Sequence, residues 1–502
     1  MDHLKASPPD SLPKRSLRRD VLLSTVTQTA VAATTFAQYA IIQRTWGTEA
    51  LANYSLLMRA RGVLEWIVLL MLPVALAREL ACHSGSAQQS ERQALIRAGG
   101  LIAISGLAAC LALFTFAPRL SGLVLFGSQD LGIWMMPFAL LLAGFSLCLI
   151  SSAIARGEMA FAEVNVIQLL YVAVVPIAAM LLGRHGDLRH VVMVIGAAAV
   201  LIAVVSYVRH LRQAENAQDL RGAAGRLVGY GAPRLTTMGA VFVHTMCLPW
   251  LVSWRSDAPV LAALNALLGV VSAGALLVSP IGLVMLPHLS RLRAEGALEQ
   301  VNSQVSRLVQ ATLLAGGLGS LGALALLPSV VSLWLGPEVA AHTPLLLACA
   351  LAVPAYLLTE IVRNPIDAAS RRPWNALTYL AGAAASALVF FAVERASGNL
   401  TVAAAAGLVA GMGCAATGAL VIVRRFHRLA ALDRCVRRAM IAWSGAVTVS
   451  SATLFLVPPA WHLVFGVCLT LGFVLLVLRQ APAWLLEIVP ERWRRIVQKV
   501  TA

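Results

Sequence analysis

The stretch that decides the fold begins at Tyr54 with Tyr-Ser-Leu-Leu-Met-Arg-Ala-Arg-Gly-Val-Leu-Glu-Trp and continues as an apolar run to Arg78. Its length and hydropathy predict a membrane-spanning helix, although its first half carries Arg59, Arg61 and Glu65. A charge near the centre of a bilayer costs about 2.5–3.5 kcal/mol on insertion scales, so such side chains usually face a bundle interior or a water-filled cavity.

The three charges of this helix need different surroundings. Arg61 and Glu65 are four residues apart, lie on one face and can pair. Arg59 lies roughly 200° around the helix from Arg61, at ~100° per residue. We therefore predict that the helix exposes positive charge to a cavity that binds an anionic, lipid-linked substrate. The alternative is that both arginines lie at the membrane interface and extend to lipid headgroups.

The composition of the chain is that of a polytopic membrane protein. Of its 502 residues, 59% are hydrophobic and 12% are charged, and the mean hydropathy is +0.79, far outside the range of soluble globular domains. A barrel would show short alternating segments in place of long apolar runs. The eight cysteines are scattered singly, which argues against a disulfide or metal framework. We expect an all-α membrane protein without a metal or cofactor.

Fourteen apolar segments are long enough to span a bilayer. With a cytoplasmic N-terminus, the inner segments hold 30 Lys and Arg residues and the outer segments hold 6. This bias predicts two cytoplasmic termini and an even number of spans, and it explains the net charge of +16 without nucleic-acid binding. The predicted spans are Val21–Ile42, Ala52–Leu76, Ala98–Phe116, Leu131–Ile154, Val164–Leu182, Val191–Val208, Leu227–Val252, Val260–Leu286, Leu308–Leu327, Leu345–Glu360, Ala376–Val393, Leu400–Val423, Ala439–Val457 and Trp461–Leu478.

The spans predict two halves. A displacement of 207 positions places Pro73 on Pro280, a faint internal repeat of the kind found in two-lobed transporters. The expected parts are a cytoplasmic tail (1–20), an N-lobe (21–208), a cytoplasmic linker (209–226), a C-lobe (227–423), two further spans (439–478) and an amphipathic cytoplasmic tail (481–502).

Polar side chains within other spans are candidates for a substrate pathway. Gln28 and Gln38 lie on a polar stripe of the first helix, which predicts a cavity-lining face, although Ser and Thr on that stripe also bond their own backbone. In the seventh span, Arg234 is a candidate substrate ligand or an interfacial anchor. His244 lies deeper in that span and is a candidate proton carrier or a hydrogen-bonded packing residue.

The exit of the tenth span carries a second charged group. Glu360, Arg363 and Asp367 would share a face if the helix continued, but Pro365 is expected to interrupt it. The arginines here can meet a diphosphate headgroup, or they belong to a solvated cytoplasmic loop. The candidates for headgroup capture are Arg363, Arg371 and Arg372.

Energy for transport must come from outside the chain. No GxxxxGK[ST] phosphate-binding loop occurs in the sequence, which argues against direct use of ATP. The expected source is an H⁺ or Na⁺ gradient, or a reaction that consumes the transported substrate. The candidate ion-coupling residues are Glu65, His244 and Glu360.

Four ordered motifs resemble those of a known superfamily. Trp46–Leu57 resembles the "G-x-E-x-x-G-x-Y-S-L" turn of oligosaccharide and polysaccharide flippases, and Tyr230–Arg234 resembles their seventh-helix opening. Leu286–Ser290 resembles the "LPxLS" ending of their eighth helix, and Arg363–Pro373 their tenth-helix exit. Over about residues 20–380 the chain is thus similar to the multidrug/oligosaccharidyl-lipid/polysaccharide exporter superfamily.

The resemblance implies two pseudo-symmetric six-helix lobes around a central cavity, followed by two C-terminal helices. It implies alternating access in a bacterial inner membrane, with an undecaprenyl-diphosphate-linked oligosaccharide as substrate. Partners would be membrane lipids and a polymerase or glycosyltransferases of the same pathway. Lipid II flippases of the superfamily carry an Arg-rich, Glu-containing second helix, which this chain approximates. They also carry an arginine in helix eight, where Leu268 stands here, and this departure favours a different glycolipid.

Two other functions compete with this interpretation. The first is a multidrug antiporter of the same fold, but antiporters that take cations favour intramembrane carboxylates, and basic groups outnumber those here. The second is a polysaccharide polymerase, ligase or glycosyltransferase. Its chemistry needs a sizeable outer loop, whereas the outer loops are short and their carboxylates are isolated. We therefore expect a transporter and not an enzyme.

Overall fold

A computed structural model describes residues 17–82, 89–212, 219–273, 289, 292–293, 296–370, 372–429, 434–456 and 459–479. All regular structure in these ranges is helical, without a strand, which confirms the predicted all-α membrane fold. Several predictions lie outside the described residues: most of the N-terminal tail (1–20), Pro280 of the internal repeat, the role of Arg371, the amphipathic tail, and nearly all of the Leu286–Ser290 motif.

The helices are α1 (Leu17–Val68), α2 (Leu72–Cys82), α3 (Gln89–Phe116), α4 (Pro118–Phe126), α5 (Met135–Gly157), α6 (Phe161–Gln168), α7 (Val175–Leu182), α8 (Leu188–Arg212), α9 (Leu220–Gly231), α10 (Leu235–Ser253), α11 (Ala258–Ala273), α12 (Leu298–Leu335), α13 (Pro337–Ala340), α14 (Thr343–Ala369), α15 (Trp374–Ser397), α16 (Leu400–Phe426), α17 (Arg434–Leu456) and α18 (Pro459–Arg479). Two 3₁₀ turns (Asp130–Trp134, Ala232–Arg234) and one π turn (Leu169–Val174) join some of them.

Each of the fourteen predicted spans falls on helical chain, although the described part of the eighth ends at Ala273. Nine helical segments of the described chain are long and apolar enough to cross a membrane, and the bent pair formed by α1 and α2 is a tenth. The first two predicted spans share α1, on either side of Gly47. At Gly47 the backbone leaves the helix with φ 85° and ψ −176°, a conformation that glycine adopts without a steric cost.

The second predicted span is broken before Pro73. Leu70 and Met71 take positive φ angles of 51° and 58°, and the axes of α1 and α2 differ by 53°. Proline lacks an N–H, and its ring would clash with the carbonyl of Leu69 if the helix continued. Pro73 therefore lies in the first turn of α2, where the missing donor costs least.

The expected interruption at Pro365 is wrong. Helix α14 runs through Pro365 to Ala369. Prolines are tolerated in membrane helices where neighbouring groups satisfy the backbone around them. Pro365 removes the helical donor of the Ile361 carbonyl, four residues earlier. The carbonyl of Arg363, two residues before the proline, accepts a 3.2 Å hydrogen bond from Nδ2 of Asn375. The charged side chains before and after the proline therefore belong to one continuous helix.

The chain divides into two compact units. The first comprises residues 1–38, 72–107 and 140–229, and the second comprises residues 39–71, 108–139 and 230–502. In the second unit, α12, α14 and α16 share a core of buried aliphatic side chains that includes Val305, Val362 and Val423. The lobe limits predicted from the sequence stay a prediction.

Candidate functional site

The site is organised around Arg59, which lies half-buried in the second half of α1. Its Nε donates to Oδ1 of Asn265 at 2.9 Å, and one terminal nitrogen donates to the backbone carbonyl of Asn265 at 3.1 Å. Asn265 is completely buried in α11. Both acceptors are neutral, so these bonds orient the guanidinium without cancelling its charge.

Arg61 and Glu65 form a separate pair. A terminal nitrogen of Arg61 lies 3.1 Å from a carboxylate oxygen of Glu65, and the two side chains are 16% and 12% exposed. The predicted pairing is therefore observed, and the two arginines do have different surroundings. Arg61 has a counter-ion on its own helix, whereas Arg59 is held by an amide from another helix.

Glu360 lies at the centre of a polar group on α14 and α15. The hydroxyl of Tyr379 donates to one carboxylate oxygen of Glu360 at 3.1 Å. The other oxygen lies 3.7 Å from a terminal nitrogen of Arg363. One turn beyond Arg363 on α14, Asp367 accepts a 2.7 Å hydrogen bond from Nδ2 of Asn375. The continuous helix through Pro365 thus gives the two carboxylates separate partners.

His244 faces the same polar group from α10. Its side chain is 9% exposed, and its ring centroid lies 5.7 Å from that of Tyr379. Within the described residues its Nδ1 has no hydrogen-bond partner. Two of the predicted ion-coupling residues, His244 and Glu360, therefore contact the same tyrosine.

Arg59, His244, Glu360 and Tyr379 line a cavity within the second unit. Its volume is about 110 Å³, which is room for a few water molecules at about 30 Å³ each. Across the ranges described, no cluster of His, Cys, Asp or Glu side chains could hold a metal ion. The cavity is lined by Arg59, Val241, His244, Thr245, Leu248, Pro249, Leu268, Val271, Ser272, Tyr356, Thr359, Glu360, Tyr379, Ser386, Leu408 and Met412.

The structure places the other predicted cationic residues apart from this cavity. Arg234 is exposed in a 3₁₀ turn, donates to the carbonyl of Tyr230 at 2.7 Å and lies 3.9 Å from the centroid of the Tyr230 ring. Arg363 is engaged by Glu360 as described, and Arg372 is exposed. Headgroup capture by Arg363, Arg371 and Arg372 stays a prediction.

The two glutamines of the first helix belong to the first unit and bond to its helices. Gln28 and Gln168 exchange amide hydrogen bonds of 2.9 and 3.2 Å. Gln38, only 1% exposed, donates to the carbonyl of Val172 at 2.8 Å. Val172 lies in the π turn, where the regular helical bonding is interrupted. The polar stripe thus satisfies polar groups between packed helices, and a role in substrate binding stays a prediction.

Three residues of the site were not singled out from the sequence: Tyr356 and Tyr379 line the cavity, and Asn265 holds Arg59. Tyr356 stands four residues before Glu360 on one helix face, a spacing that could have pointed to it. Asn265 is a lone amide in the apolar eighth span, a weaker signal. Nothing within its own span marks Tyr379, because its importance comes from the packing of α15 on α10 and α14.

By sequence, the chain matches no family model and no curated protein. By structure it is similar to the lipid II flippase MurJ in an inward closed conformation, with a TM-score of 0.63 and 13% identity, over 92% of this chain and 99% of that one. The eukaryotic MATE transporter AtDTX14 has a TM-score of 0.57 and 14% identity, over 84% and 98%. An inward-facing multidrug resistance MATE transporter of the MOP superfamily has a TM-score of 0.58 and 12% identity, over 81% and 98%.

The chain has the fold of the MOP-superfamily transporters. This is the multidrug/oligosaccharidyl-lipid/polysaccharide superfamily that the sequence motifs resemble, and the predicted fold class is confirmed. Identities of 12–14% establish the fold alone. Members of the MOP superfamily with different substrates share this fold, so the substrate must be argued from the site.

Proposed function

We propose that the protein is a flippase that carries an undecaprenyl-diphosphate-linked oligosaccharide from the cytoplasmic to the periplasmic leaflet of the bacterial inner membrane, for cell-surface polysaccharide synthesis. The observation that supports it best is Arg59, a permanent cation held by a neutral amide at a cavity inside an apolar bundle. A positive charge in such surroundings is costly without an anion. The carboxylate of the same cavity, Glu360, has Arg363 3.7 Å away as a cation of its own, so a diphosphate would supply the anion for Arg59.

The geometry suits a phosphate ligand. A guanidinium has five N–H donors, and the bonds of Arg59 within the described residues use two of them. The remaining donors suit a two-pronged contact with phosphate oxygens, which is stronger and more directional than a contact with an ammonium. A diphosphate that enters the bundle loses hydration and needs such charged donors in return.

The small volume of the cavity is consistent with transport by alternating access. Binding sites for small molecules usually occupy about 300–1,000 Å³, so about 110 Å³ is too small for a sugar diphosphate. Entry of the headgroup then requires the helices around Arg59 to separate, as occurs when a transporter changes between inward-open and outward-open states.

Glu360 is the group best placed to couple transport to an ion gradient. It shares the cavity with Arg59 and accepts a hydrogen bond from Tyr379, which His244 contacts from the other side. Loss or gain of H⁺ or Na⁺ at this carboxylate would change the net charge that the diphosphate meets. Glu65, by contrast, has Arg61 as its counter-ion.

The proposal is tested with the full-length protein in liposomes that contain an undecaprenyl-diphosphate oligosaccharide with a fluorescent sugar. Dithionite added outside quenches only the label in the outer leaflet. We expect active protein to increase the fraction of label that dithionite reaches, at a rate that depends on an imposed H⁺ or Na⁺ gradient. If the labelled headgroup stays in its leaflet under both gradients, the flippase proposal fails.

The second candidate function is an ion-coupled multidrug antiporter. The observation in its favour is the carboxylate of Glu360 in the cavity, because cationic drugs need a negative partner inside the membrane. Uptake of ethidium by the same liposomes separates the two functions. Ethidium transport that Glu360→Gln abolishes, together with no movement of the labelled lipid, would favour the antiporter.

A further inference from the structure

A second and larger cavity lies in the same unit, between the start of α12 and the end of α16. Its volume is about 820 Å³, within the usual range of about 300–1,000 Å³ for ligand sites. Oδ1 of Asn302 accepts a 3.3 Å hydrogen bond from the backbone N–H of Arg428, which ties the two helix ends together. The basic side chains that line it are Arg293, Arg307, Arg424, Arg425, His427 and Arg428.

The charge of this cavity is strongly one-sided. Five arginines line it, and among the described lining residues the one carboxylate is Glu299. Burial lowers the pKa of His427, and the nearby positive charge of Arg293 lowers it further. Arg293, before α12, is therefore close enough for its charge to act on His427, just after α16. Like charges around a cavity raise the local concentration of anions.

The walls of the cavity suit a lipid and not only a soluble anion. The guanidinium of Arg425 lies 5.3 Å from the centroid of the Trp374 ring, and that ring packs on Phe426 at 6.3 Å between centroids. Phe426 and Leu298 also line the cavity. Trp374 begins α15, which like α12 and α16 is long enough to cross a membrane, and tryptophan at the ends of such helices lies at the level of lipid headgroups.

We infer that this cavity binds the phosphate groups of a lipid headgroup. Arginine forks pair with phosphate oxygens two at a time, and basic pockets between membrane helices take up anionic headgroups. Two lipids carry this chemistry: an anionic phospholipid of the surrounding bilayer and a polyprenyl diphosphate. No residue of this cavity lines the one that contains Arg59, so the inference does not rest on the flippase proposal.

A simpler role for these arginines must be separated from ligand binding. Arg424 and Arg425 lie in the last turn of α16, where cations interact well with the helix dipole and contribute to the positive-inside bias. Arg437 and Arg438 on α17 are exposed arginines of the same unit and do not line the cavity. They make a matched control of equal charge.

The experiment measures lipid binding to the purified full-length protein in detergent by native mass spectrometry. The probes are phosphatidylglycerol, undecaprenyl diphosphate and, as a zwitterionic reference, phosphatidylcholine. The variants are Arg424→Gln/Arg428→Gln and the control Arg437→Gln/Arg438→Gln. One arginine near the membrane surface contributes about a factor of five to the affinity for an anionic lipid. Because the cavity variant lacks two arginines, we expect it to bind anionic lipid ~30-fold more weakly, with little change in the control.

Each outcome decides the inference. Loss of phosphatidylglycerol alone, or of undecaprenyl diphosphate alone, supports the cavity and identifies the lipid that fills it. Equal losses in the two double variants, or wild-type binding by the cavity variant, would overturn it. If the double variant does not fold, Arg424→Gln alone is expected to weaken binding about fivefold, and unchanged binding in that folded variant would also overturn it.

Discussion

Arg59 and Arg61 show how two cations of one helix acquire different roles. Arg61 is neutralised by Glu65 one turn away, so together they add little net charge to their surroundings. Arg59 is oriented by Asn265 without being neutralised. In a medium of low dielectric constant this difference dominates, because an unbalanced charge acts over a longer distance than an ion pair.

The first prediction concerns Arg59 itself. Loss of a charge-assisted hydrogen bond costs about 1.5–3 kcal/mol, or roughly 10- to 150-fold in binding. We expect Arg59→Ala to lower headgroup transport by this order, and Arg59→Lys to recover part of it because lysine keeps the charge but lacks the fork. The exposed Arg119→Ala is the control. If Arg59→Ala has the wild-type initial rate in the dithionite assay, Arg59 does not bind the transported headgroup.

The second prediction separates charge from geometry at Asn265. Aspartate has nearly the same shape as asparagine and keeps an oxygen for Arg59 to bond, but it neutralises the guanidinium. We expect Asn265→Asp to lower headgroup transport at least about tenfold, since an ion pair at this distance competes with the diphosphate. Asn265→Ala leaves the charge of Arg59 in place but removes the group that orients its guanidinium, so this variant should retain more activity. The reverse order of the two variants would show that orientation matters more than charge.

The third prediction concerns Glu158 in the first unit. Glu158 pairs with Arg92 and lies 3.3 Å from Nδ1 of the buried His210. Burial raises the pKa of Glu158, but bonds and charges from His210 and Arg92 lower it more, so the net shift is downward. A depressed carboxyl pKa stabilises the fold above the unfolded pKa of about 4.3, and this stability is lost as the pH falls through the folded value.

The difference in melting temperature between wild type and Glu158→Gln should therefore be large at pH 5.5 and should shrink as the pH falls below about 4.3. Thermal unfolding followed by size-exclusion chromatography measures it. Asp130→Asn, at an exposed carboxylate, is the control and should show a small difference throughout. A difference between wild type and Glu158→Gln that does not change with pH would exclude this ion-pair contribution.

At the scale of elements, the break between α1 and α2 is fixed by another segment of the second unit. A Cβ at Gly231 would collide with the backbone carbonyl of Leu70, within the break itself. The backbone of Leu70 and Met71 has little freedom to adjust, because both residues already take positive φ angles. The glycine at the end of α9 therefore permits the close approach that accommodates the bend before Pro73.

The fourth prediction tests this contact. Gly231→Ala inserts a methyl group against a backbone carbonyl, and overpacking of this kind costs about 1–3 kcal/mol, so the melting temperature should fall. Gly229→Ala is the matched control, since a Cβ there meets nothing within 4 Å and alanine favours the helix. Equal melting temperatures for the two variants would mean that the backbone at the break adjusts to the added methyl group with little loss of stability.

The prolines show which element boundaries a sequence can predict. Pro73 stands in an apolar run and Pro365 in the charged exit of the tenth span, yet the chain breaks before the first and α14 continues through the second. The intrinsic effect of proline is the same in both places. The outcome therefore depends on the tertiary surroundings of each proline, and these are known only once the packing is known.

At the scale of the whole molecule, the fifth prediction is the topology. The charge bias predicts that Glu338 and its neighbours are periplasmic and that the end of α16 is cytoplasmic. A membrane-impermeant maleimide applied to intact spheroplasts should label Ala341→Cys and leave Arg425→Cys unlabelled until the membrane is permeabilised, since both positions are exposed. The opposite labelling pattern would show that the chain has the opposite orientation in the membrane.

The fold was more predictable than the site because the two depend on different ranges of interaction. Hydropathy acts over about 20 residues, so the described part of each predicted span falls on mostly helical chain. The pairing of Arg61 with Glu65 is also local and was predicted. The partner of Arg59 is 206 residues away, and no periodicity within a helix indicates which distant amide will reach it.

The glutamines of the first helix have a consequence for biogenesis. Gln28 and Gln38 find their partners 140 and 134 residues later in the chain. At translation rates of about 5–20 residues per second, their amides wait roughly 7–28 s in or beside the membrane before those partners exist. During that interval the unpaired amides make the first helix unfavourable in the lipid bilayer. We therefore expect the helix to stay at the insertion machinery, and Gln28→Leu should let it enter the bilayer sooner.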